Sequence, residues 1–251
     1  MISFIKDCLR KRKIQHFLYV HILFLSGLVL LDVSWADLAY SFLFFILIVS
    51  PISAVILHNK FKHEYVEFSN SIAEWFGLLY ICIYSFWKSD DFKSYHILHH
   101  KAWLTDNDPT AVEIRQGKLR YYVGLTDPCP IPKVHTNETW KVDFMNHHFW
   151  TIKGLAYLSI VLLFGLKIFY LTVIVQQLYN YVHAKIHDMV FHSSDHLGPA
   201  KDVPWLFPFY FNSAWHIDHH SNYSKAEDWR LPWINAQYLF TRLLVKDIDS
   251  K

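Results

Sequence analysis

Residues 38–57 form a run of twenty residues without a single charged side chain. Twenty residues of α-helix rise about 30 Å, which is the thickness of the hydrocarbon core of a bilayer. The whole chain has a matching composition, because 53% of its 251 residues are hydrophobic and only 18% are charged. Soluble domains usually carry about 25% charged residues. The sequence therefore predicts an integral membrane protein.

We predict one domain over residues 1–251, an all-α membrane bundle with about four transmembrane helices. The expected spans are residues 16–31, 38–57, 149–165 and 168–182. The last two belong to one apolar stretch that is too long for a single helix, and we expect a helical hairpin with its turn at Gly165. Residues 72–87 are apolar but short and contain Glu74, which favours a re-entrant or interfacial helix.

Histidines are concentrated in three short segments. Two of these segments have the pattern H-x-x-H-H, and the third is a pair five residues apart. On a helix, positions i, i+3 and i+4 share one face, so each triad directs three imidazoles to one side. The three segments comprise His58 and His63; His96, His99 and His100; and His216, His219 and His220. Eight imidazoles are enough ligands for two metal ions with open positions.

A further pair of candidate ligands is His183 and His187, which are four residues apart at the end of the last span. We expect His187 to bind metal, and His183 to bind it directly or through a water. His192 and His196 have the same spacing but fall in a loop-like stretch, so we do not assign them. His58 and His63 are about 140° apart on an α-helix, so the helix must end or bend there for both to reach one centre.

The distribution of Lys and Arg predicts the topology, because cytoplasmic loops are enriched in both. The N-terminal tail carries a basic run at residues 10–13, whereas the first loop has Asp32 and Asp37 and the hairpin turn has only Lys167. With a cytoplasmic N-terminus, every histidine segment follows an even number of spans. All of them then lie in a cytoplasmic, histidine-rich cap, although the histidines were not used to derive the topology.

Two sequence features leave an alternative topology open. Residues 34–36 are compatible with signal-peptidase cleavage after the first span. The sequons at Asn137 and Asn222 match the glycosylation pattern, but on this topology they face the cytoplasm and are chance matches. A glycan on Asn137 would show that the topology is inverted.

The type of ligand limits which metal ions can bind at these histidines. Imidazole suits iron, zinc, copper and nickel, whereas calcium and magnesium prefer oxygen ligands. The three cysteines are scattered with no C-x-x-C pair, which excludes a cysteine zinc site and a disulfide framework. Eight or more histidines exceed the needs of one zinc ion and favour a two-metal centre. Five acids lie close to the clusters and are candidates to orient an imidazole: Glu64, Asp106, Asp108, Asp188 and Asp218.

The order H-x4-H, H-x-x-H-H and a late H-x-x-H-H, interleaved with membrane spans, resembles the membrane fatty acid desaturase superfamily over residues 58–233. The segment from His99 to Pro109 and the tail 229–232 are similar to bacterial carotenoid ketolases. Residues 180–182 and 216–221 are similar to alkane hydroxylases, although those enzymes have H-x3-H-H in the second box.

The resemblance implies a helical bundle with a cytoplasmic cap and a non-haem centre of two Fe²⁺ ions. It implies O2-dependent oxidation of a lipid C–H bond, giving a double bond or, alternatively, a hydroxyl or keto group. Its metal ligands would be His58, His63, His96, His99, His100, His183, His187, His216, His219 and His220. Aromatic residues such as Trp75, Phe76, Trp103 and Trp215 would line a lipid tunnel or anchor the membrane interface.

The electrons for such a reaction must come from another protein. The chain has no G-x-G-x-x-G, no C-x-x-C and only seven glycines, so we expect no built-in flavin, nicotinamide or iron–sulfur domain. A separate ferredoxin or cytochrome is therefore the expected donor, docking on the cytoplasmic face, and no nucleic acid partner is expected. A histidine-rich metal transporter is the rival class, but transporters place ligands near the bilayer midplane rather than at span ends.

Overall fold

The computed structural model describes residues 12–63, 66–85, 88–122, 126–127, 129, 139–193, 195–221 and 233–247, and these are mostly helical. The first six helices are α1 Arg12–Leu30, α2 Trp35–Lys62, α3 Ser71–Tyr84, α4 Ser89–Ala102, α5 Pro109–Arg115 and α6 Lys118–Tyr122. The others are α7 Trp140–His147, α8 Phe149–Phe164, α9 at residues 166–191, α10 Phe207–Tyr210, α11 His216–Ser221 and α12 Ala236–Leu244. Short 3₁₀ turns, Pro204–Leu206 and Phe211–Ala214, flank α10.

Two short strands tie the chain's last described segment to the end of α2. Strand β1 is Val66–Phe68 and strand β2 is Val245–Asp247. They pair antiparallel, with Val66 opposite Asp247 and Phe68 opposite Val245. The ribbon packs against α2, where Val66 and Val245 form a buried cluster with Val55.

Helix α2 is long and apolar enough to cross a bilayer, and within the described residues it is the one helix that satisfies both conditions. It has 28 residues and contains the predicted span 38–57. Residues Tyr19–Leu30, Ser71–Tyr84 and Phe149–Phe164 form shorter apolar helices. The described residues are therefore mostly helical, as predicted, and contain one helix that is both long and apolar enough to span a bilayer, while the four-span arrangement stays a prediction.

The loops predicted to lie outside the membrane are neighbours in the fold. Helix α8 ends at Gly165, whose φ of 85° suits glycine, and α9 begins at the next residue. Lys167 in this turn reaches the Asp37 carboxylate at 2.9 Å and donates to the Asp32 carbonyl at 3.1 Å. Ser34 and Asp37 form a capping box at the start of α2. The α8–α9 turn and the α1–α2 loop therefore meet at one end of the bundle.

Close packing and buried polar contacts join α9 to α1 and α2. A Cβ atom added to Gly27 would lie 2.0 Å from the Tyr170 ring, so only glycine allows this approach of α1 to α9. The Tyr170 hydroxyl donates to the Phe24 carbonyl at 2.7 Å. The buried Gln176 amide donates to the Ser41 hydroxyl on α2 at 2.7 Å. These contacts bring the far ends of α2 and α9 to the same part of the molecule.

Candidate metal centre

Four helices bring their histidines to one buried region. The end of α2 and the end of α9 approach it from the bundle, and α4 and α11 carry the two H-x-x-H-H triads across it. The rings form two adjacent groups, which we call the first and second histidine groups.

The first histidine group consists of His58, His63, His96, His100 and His219. The ligand atoms of four of them, all except His100, lie within 4.8 Å of one another. The His96 Nε2 lies 2.7 Å from the His63 Nε2, and the His58 Nε2 lies 3.2 Å from the His219 Nε2. The His100 Nε2 is 3.0 Å from the Nε2 atoms of both His96 and His219. Five nitrogen donors from three helices therefore converge on one point.

A π-helical stretch explains how His58 and His63 reach the same point. Residues Ala54–Lys62 have π-helical backbone, and the His63 amide donates to the His58 carbonyl five residues earlier at 3.2 Å. An i→i+5 bond widens the turn, so residue i+5 lies almost above residue i. The two ring centroids are 4.6 Å apart. The departure from α-helical geometry is therefore a wider turn, and α2 ends directly after it, at Lys62.

The second histidine group consists of His99, His187, His192, His216 and His220. The His216 Nε2 lies 2.9 Å from the His192 Nε2 and 3.0 Å from the His220 Nε2. His192 also forms compact ligand sets with His187 and His216, and with His99 and His220. The two groups are neighbours, because the ring centroids of His100 and His220 are 4.6 Å apart.

His192 is the ligand candidate that the sequence pattern did not assign. It follows the last residue of α9 and has extended backbone, with φ −114° and ψ 167°. This conformation breaks the helical spacing from His187, and the i, i+4 spacing of His192 and His196 lies in a stretch without helix. The side chain is 3% exposed and lies at the middle of the second group. The nearest sequence signal is a third histidine soon after His183 and His187.

The structure places His183, a predicted ligand, outside both groups. Its Nε2 lies 3.1 Å from the Phe209 carbonyl oxygen, and its ring stacks on Tyr210 with centroids 4.1 Å apart. The Tyr210 hydroxyl donates to the His183 carbonyl at 3.0 Å. His183 therefore attaches α10 to α9 and holds the chain that leads to α11. The other nine predicted ligands all lie in the two groups.

Asp108 orients one ligand of the second group. Both of its carboxylate oxygens lie 3.0 Å from the His99 Nδ1, and its side chain is fully buried. The same carboxylate accepts from the Thr110 amide at 2.8 Å and caps α5. A proton on Nδ1 leaves the His99 Nε2 as the lone-pair nitrogen, which is the form that binds metal. His196, whose ring stacks on His192 at 4.2 Å, completes a further compact set with His99 and Asp108.

Changing Asp108 to Asn should lower metal affinity about 10- to 100-fold, because an amide no longer holds the His99 tautomer. The measurement is metal content per chain after dialysis against a graded series of chelator concentrations. Asp106→Asn is the matched control, because the Asp106 side chain is 79% exposed and pairs with Arg115. Equal metal retention by the two variants would contradict this role for Asp108.

The other predicted acids lie elsewhere or outside the described residues. The Asp188 carboxylate accepts from the Tyr121 hydroxyl at 2.5 Å, and its carbonyl lies 3.3 Å from the His196 Nε2. Glu64 lies outside the described residues, and the side chain of Asp218 is not described. Among the predicted aromatics, Trp103 stacks on His220 with centroids 4.4 Å apart, while Trp75 packs on Trp140.

The electrostatics favour neutral imidazoles. Burial lowers the pKa of His96, His216 and His219 well below the usual value, and nearby imidazoles lower it further. A neutral imidazole has one N–H and one lone pair. Within the described part of the chain, the buried Nδ1 atoms of His216, His219 and His220 have no hydrogen-bond partner, while their Nε2 atoms lie in the crowded interior. A cation between the Nε2 atoms would satisfy several lone pairs at once, so the donor set fits a bound metal.

No protein-family model matches this chain, and no curated protein matches it. The features of this protein that indicate a function are therefore the two histidine groups and the helices that hold them.

Proposed function

We propose that the protein is a membrane-bound di-iron oxidoreductase that uses O2 to desaturate a fatty acyl or other lipid chain. The observation that carries this proposal is the pair of adjacent groups of five imidazoles at the end of an apolar helix bundle. Ten nitrogen donors exceed what one ion binds, and their division into two groups matches a two-metal centre.

The residues of each group would hold one iron ion. Iron fits a donor set made of imidazoles, since the described ligand groups contain no thiolate and their one carboxylate is engaged with His99. Two bound iron ions would supply O2-dependent oxidation of an unactivated C–H bond. The chain's own contribution is to exclude water from the rings and to orient them, as Asp108 does for His99.

The membrane arrangement proposed here uses α1, α2, α8 and α9 as four spans. Support comes from large apolar side chains that the bundle leaves exposed, among them Val29 at 82%, Leu162 at 75% and Leu163 at 75%. Apolar surface of this extent is typical of contact with lipid. The positive charge of the N-terminal tail supports a location of the histidine groups at the cytoplasmic face.

The proposed reaction also requires a source of electrons. Electrons would come from a separate ferredoxin or cytochrome that docks on the cytoplasmic face, because the sequence contains no motif for a flavin, nicotinamide or iron–sulfur group. Desaturation and hydroxylation both start by breaking a C–H bond. The two reactions are therefore distinguished by identifying the product. The position of the ligands at helix ends argues against a metal transporter.

Metal and lipid analysis test the proposal together. Protein purified in detergent should contain about two iron ions per chain, as a two-metal site requires. Cells that express it should contain a lipid with a new double bond, identified by mass spectrometry against cells that lack the protein. Zinc as the only bound metal, or an unchanged lipid profile, would refute the proposed activity.

A further inference from the structure

His192, at the middle of the second histidine group, lacks the contact that usually orients a metal-binding imidazole. Such a ring normally donates its other N–H to a carboxylate or a carbonyl, as His99 does to Asp108. Within the described part of the chain, the buried Nδ1 of His192 has no hydrogen-bond partner. Its Nε2 nevertheless lies 2.9 Å from the His216 Nε2. A contact of another kind therefore holds this ring in place.

The ring of His196 covers one face of the His192 ring. The two centroids are 4.2 Å apart and the ring planes are inclined by only 23°, so the rings are stacked. His196 is 1% exposed, so this contact is buried. Stacking of aromatic rings is favourable beyond the area that it buries, and it limits rotation of both rings. The edge of the His192 ring, where its nitrogens lie, is left free to face the rest of the group.

A hydrogen bond at the end of α9 fixes the ring of His196. The last four carbonyls of an α-helix have no partner within the helix. In α9, the Asp188 carbonyl lies 3.3 Å from the His196 Nε2, and the Phe191 carbonyl accepts from the Lys201 amide at 2.7 Å. A carbonyl oxygen only accepts, so the His196 Nε2 carries the proton of this bond. His196 therefore joins the end of α9 to the ring of His192, the residue that follows the helix.

The loop around His196 holds its backbone in a strained conformation. Its φ is 60°, in the left-handed region that few residues other than glycine adopt. The His196 amide donates to the Ser193 carbonyl at 3.0 Å. The Asp195 carboxylate accepts from the Ser193 hydroxyl at 2.7 Å and from the Leu197 amide at 3.1 Å. Strain of this kind persists where surrounding contacts over-determine the conformation, and it is common at functional sites.

We propose that His196 is a positioning residue for the second histidine group, which holds the His192 ring with its Nε2 directed into the group and does not itself bind the metal. His196 shares a compact ligand set with His99 and Asp108, but those two residues are engaged with each other at 3.0 Å. Its own Nε2 is engaged with the Asp188 carbonyl. This inference rests on the proposed two-metal centre and adds to it a residue that helical spacing left unassigned.

Titration of the metal-free, full-length protein in detergent with Co²⁺ tests the proposal, because the visible absorption of bound cobalt reports its ligands. The wild-type protein should bind about two ions per chain. His196→Ala should weaken binding of one ion about 10- to 100-fold, the usual effect of losing a residue that orients a ligand, and leave the other unchanged. His196→Phe should stay within about threefold of wild type, because a phenyl ring can stack on His192 but has no nitrogen to bind metal.

Leu197→Ala is the matched control, because Leu197 lies in the same loop and is 38% exposed. It should bind cobalt as the wild-type protein does. Thermal unfolding of the metal-free variants separates positioning from a merely structural role. Both His196 variants lose the bond to the Asp188 carbonyl and should unfold at a lower temperature than wild type, whereas only His196→Ala should lose affinity for cobalt.

Three results would overturn the positioning role of His196. Equal loss of cobalt from His196→Phe and His196→Ala would show that a nitrogen of His196 is required, which is the behaviour of a ligand. Full retention of both ions by His196→Ala would show that the stacked ring does not matter. Failure of the wild-type protein to bind cobalt would remove the metal that the ring is proposed to position.

This inference and the proposed function fail in different measurements. A protein that contains iron and oxidises lipid, but whose His196→Ala variant keeps both metal ions, would refute the positioning role alone. A protein whose cobalt binding responds to His196 as described, but which contains no iron as purified, would keep the positioning role and refute the oxidase.

Discussion

Replacing His219 with alanine should remove at least half of the bound iron and lower formation of the oxidised lipid at least 100-fold. The His219 Nε2 lies 3.2 Å from the His58 Nε2 and 3.0 Å from the His100 Nε2, so it closes the first group from the side of α11. Loss of a residue that only orients a ligand already costs 10- to 100-fold in affinity or activity, and loss of a ligand should cost more. Metal analysis and lipid mass spectrometry of the same preparation give both values.

His147→Ala is the control for this experiment. His147 ends α7, is exposed and belongs to neither histidine group. The His147→Ala variant should have the same iron content and product level as the wild-type protein. A His219→Ala protein that retained its full iron content would show that the first group is not a metal site.

Replacing His192 with alanine should remove the metal of the second group, whereas replacing His183 with alanine should leave iron content unchanged. His192 shares compact ligand sets with four other histidines, and its Nε2 lies 2.9 Å from the His216 Nε2. His183 instead stacks on Tyr210 with its Nε2 directed at the Phe209 carbonyl. We expect the iron content of His192→Ala to fall to about one ion per chain, because the first histidine group would still hold its ion.

The two histidines lie nine residues apart at the end of the same helix, so each variant controls for the other. His183→Ala should lower thermal stability, because it removes the ring stacking on Tyr210 and the contact of Nε2 with the Phe209 carbonyl. The opposite result would be loss of iron from His183→Ala and its retention in His192→Ala. It would contradict His192 as a ligand and support His183, the ligand predicted from helical spacing.

The spacing of the histidines predicts which rings can converge. Positions i, i+3 and i+4 share a helix face, so His96, His99 and His100 had to point together if α4 formed. Nine of the ten predicted ligands lie in the two groups, while their binding of metal stays a prediction. What the pattern did not separate was the role of each ring within a triad: His96 and His100 belong to the first group, whereas His99 belongs to the second.

Helical spacing was misleading where the backbone departs from α-helical geometry. The π-helical turn at the end of α2 aligns His58 with His63, although five residues of α-helix would separate them by about 140°. The opposite case occurs at the end of α9, where the chain becomes extended at His192 and turns that ring into the site. No local pattern records either change, because both depend on what the helix end packs against.

The sequence by itself determined the helical character, the apolar helix of membrane-spanning length, the turn at Gly165 and the residue type that holds the proposed metal. Each of these depends on local composition and spacing, and on the conformational freedom of single residues. Only the tertiary structure decided which rings form each group, that His192 lies among these rings while His183 lies outside them, and that Asp108 contacts His99. These contacts join residues far apart in the chain, and their distances are set by the packing of helices rather than by any periodicity along one of them.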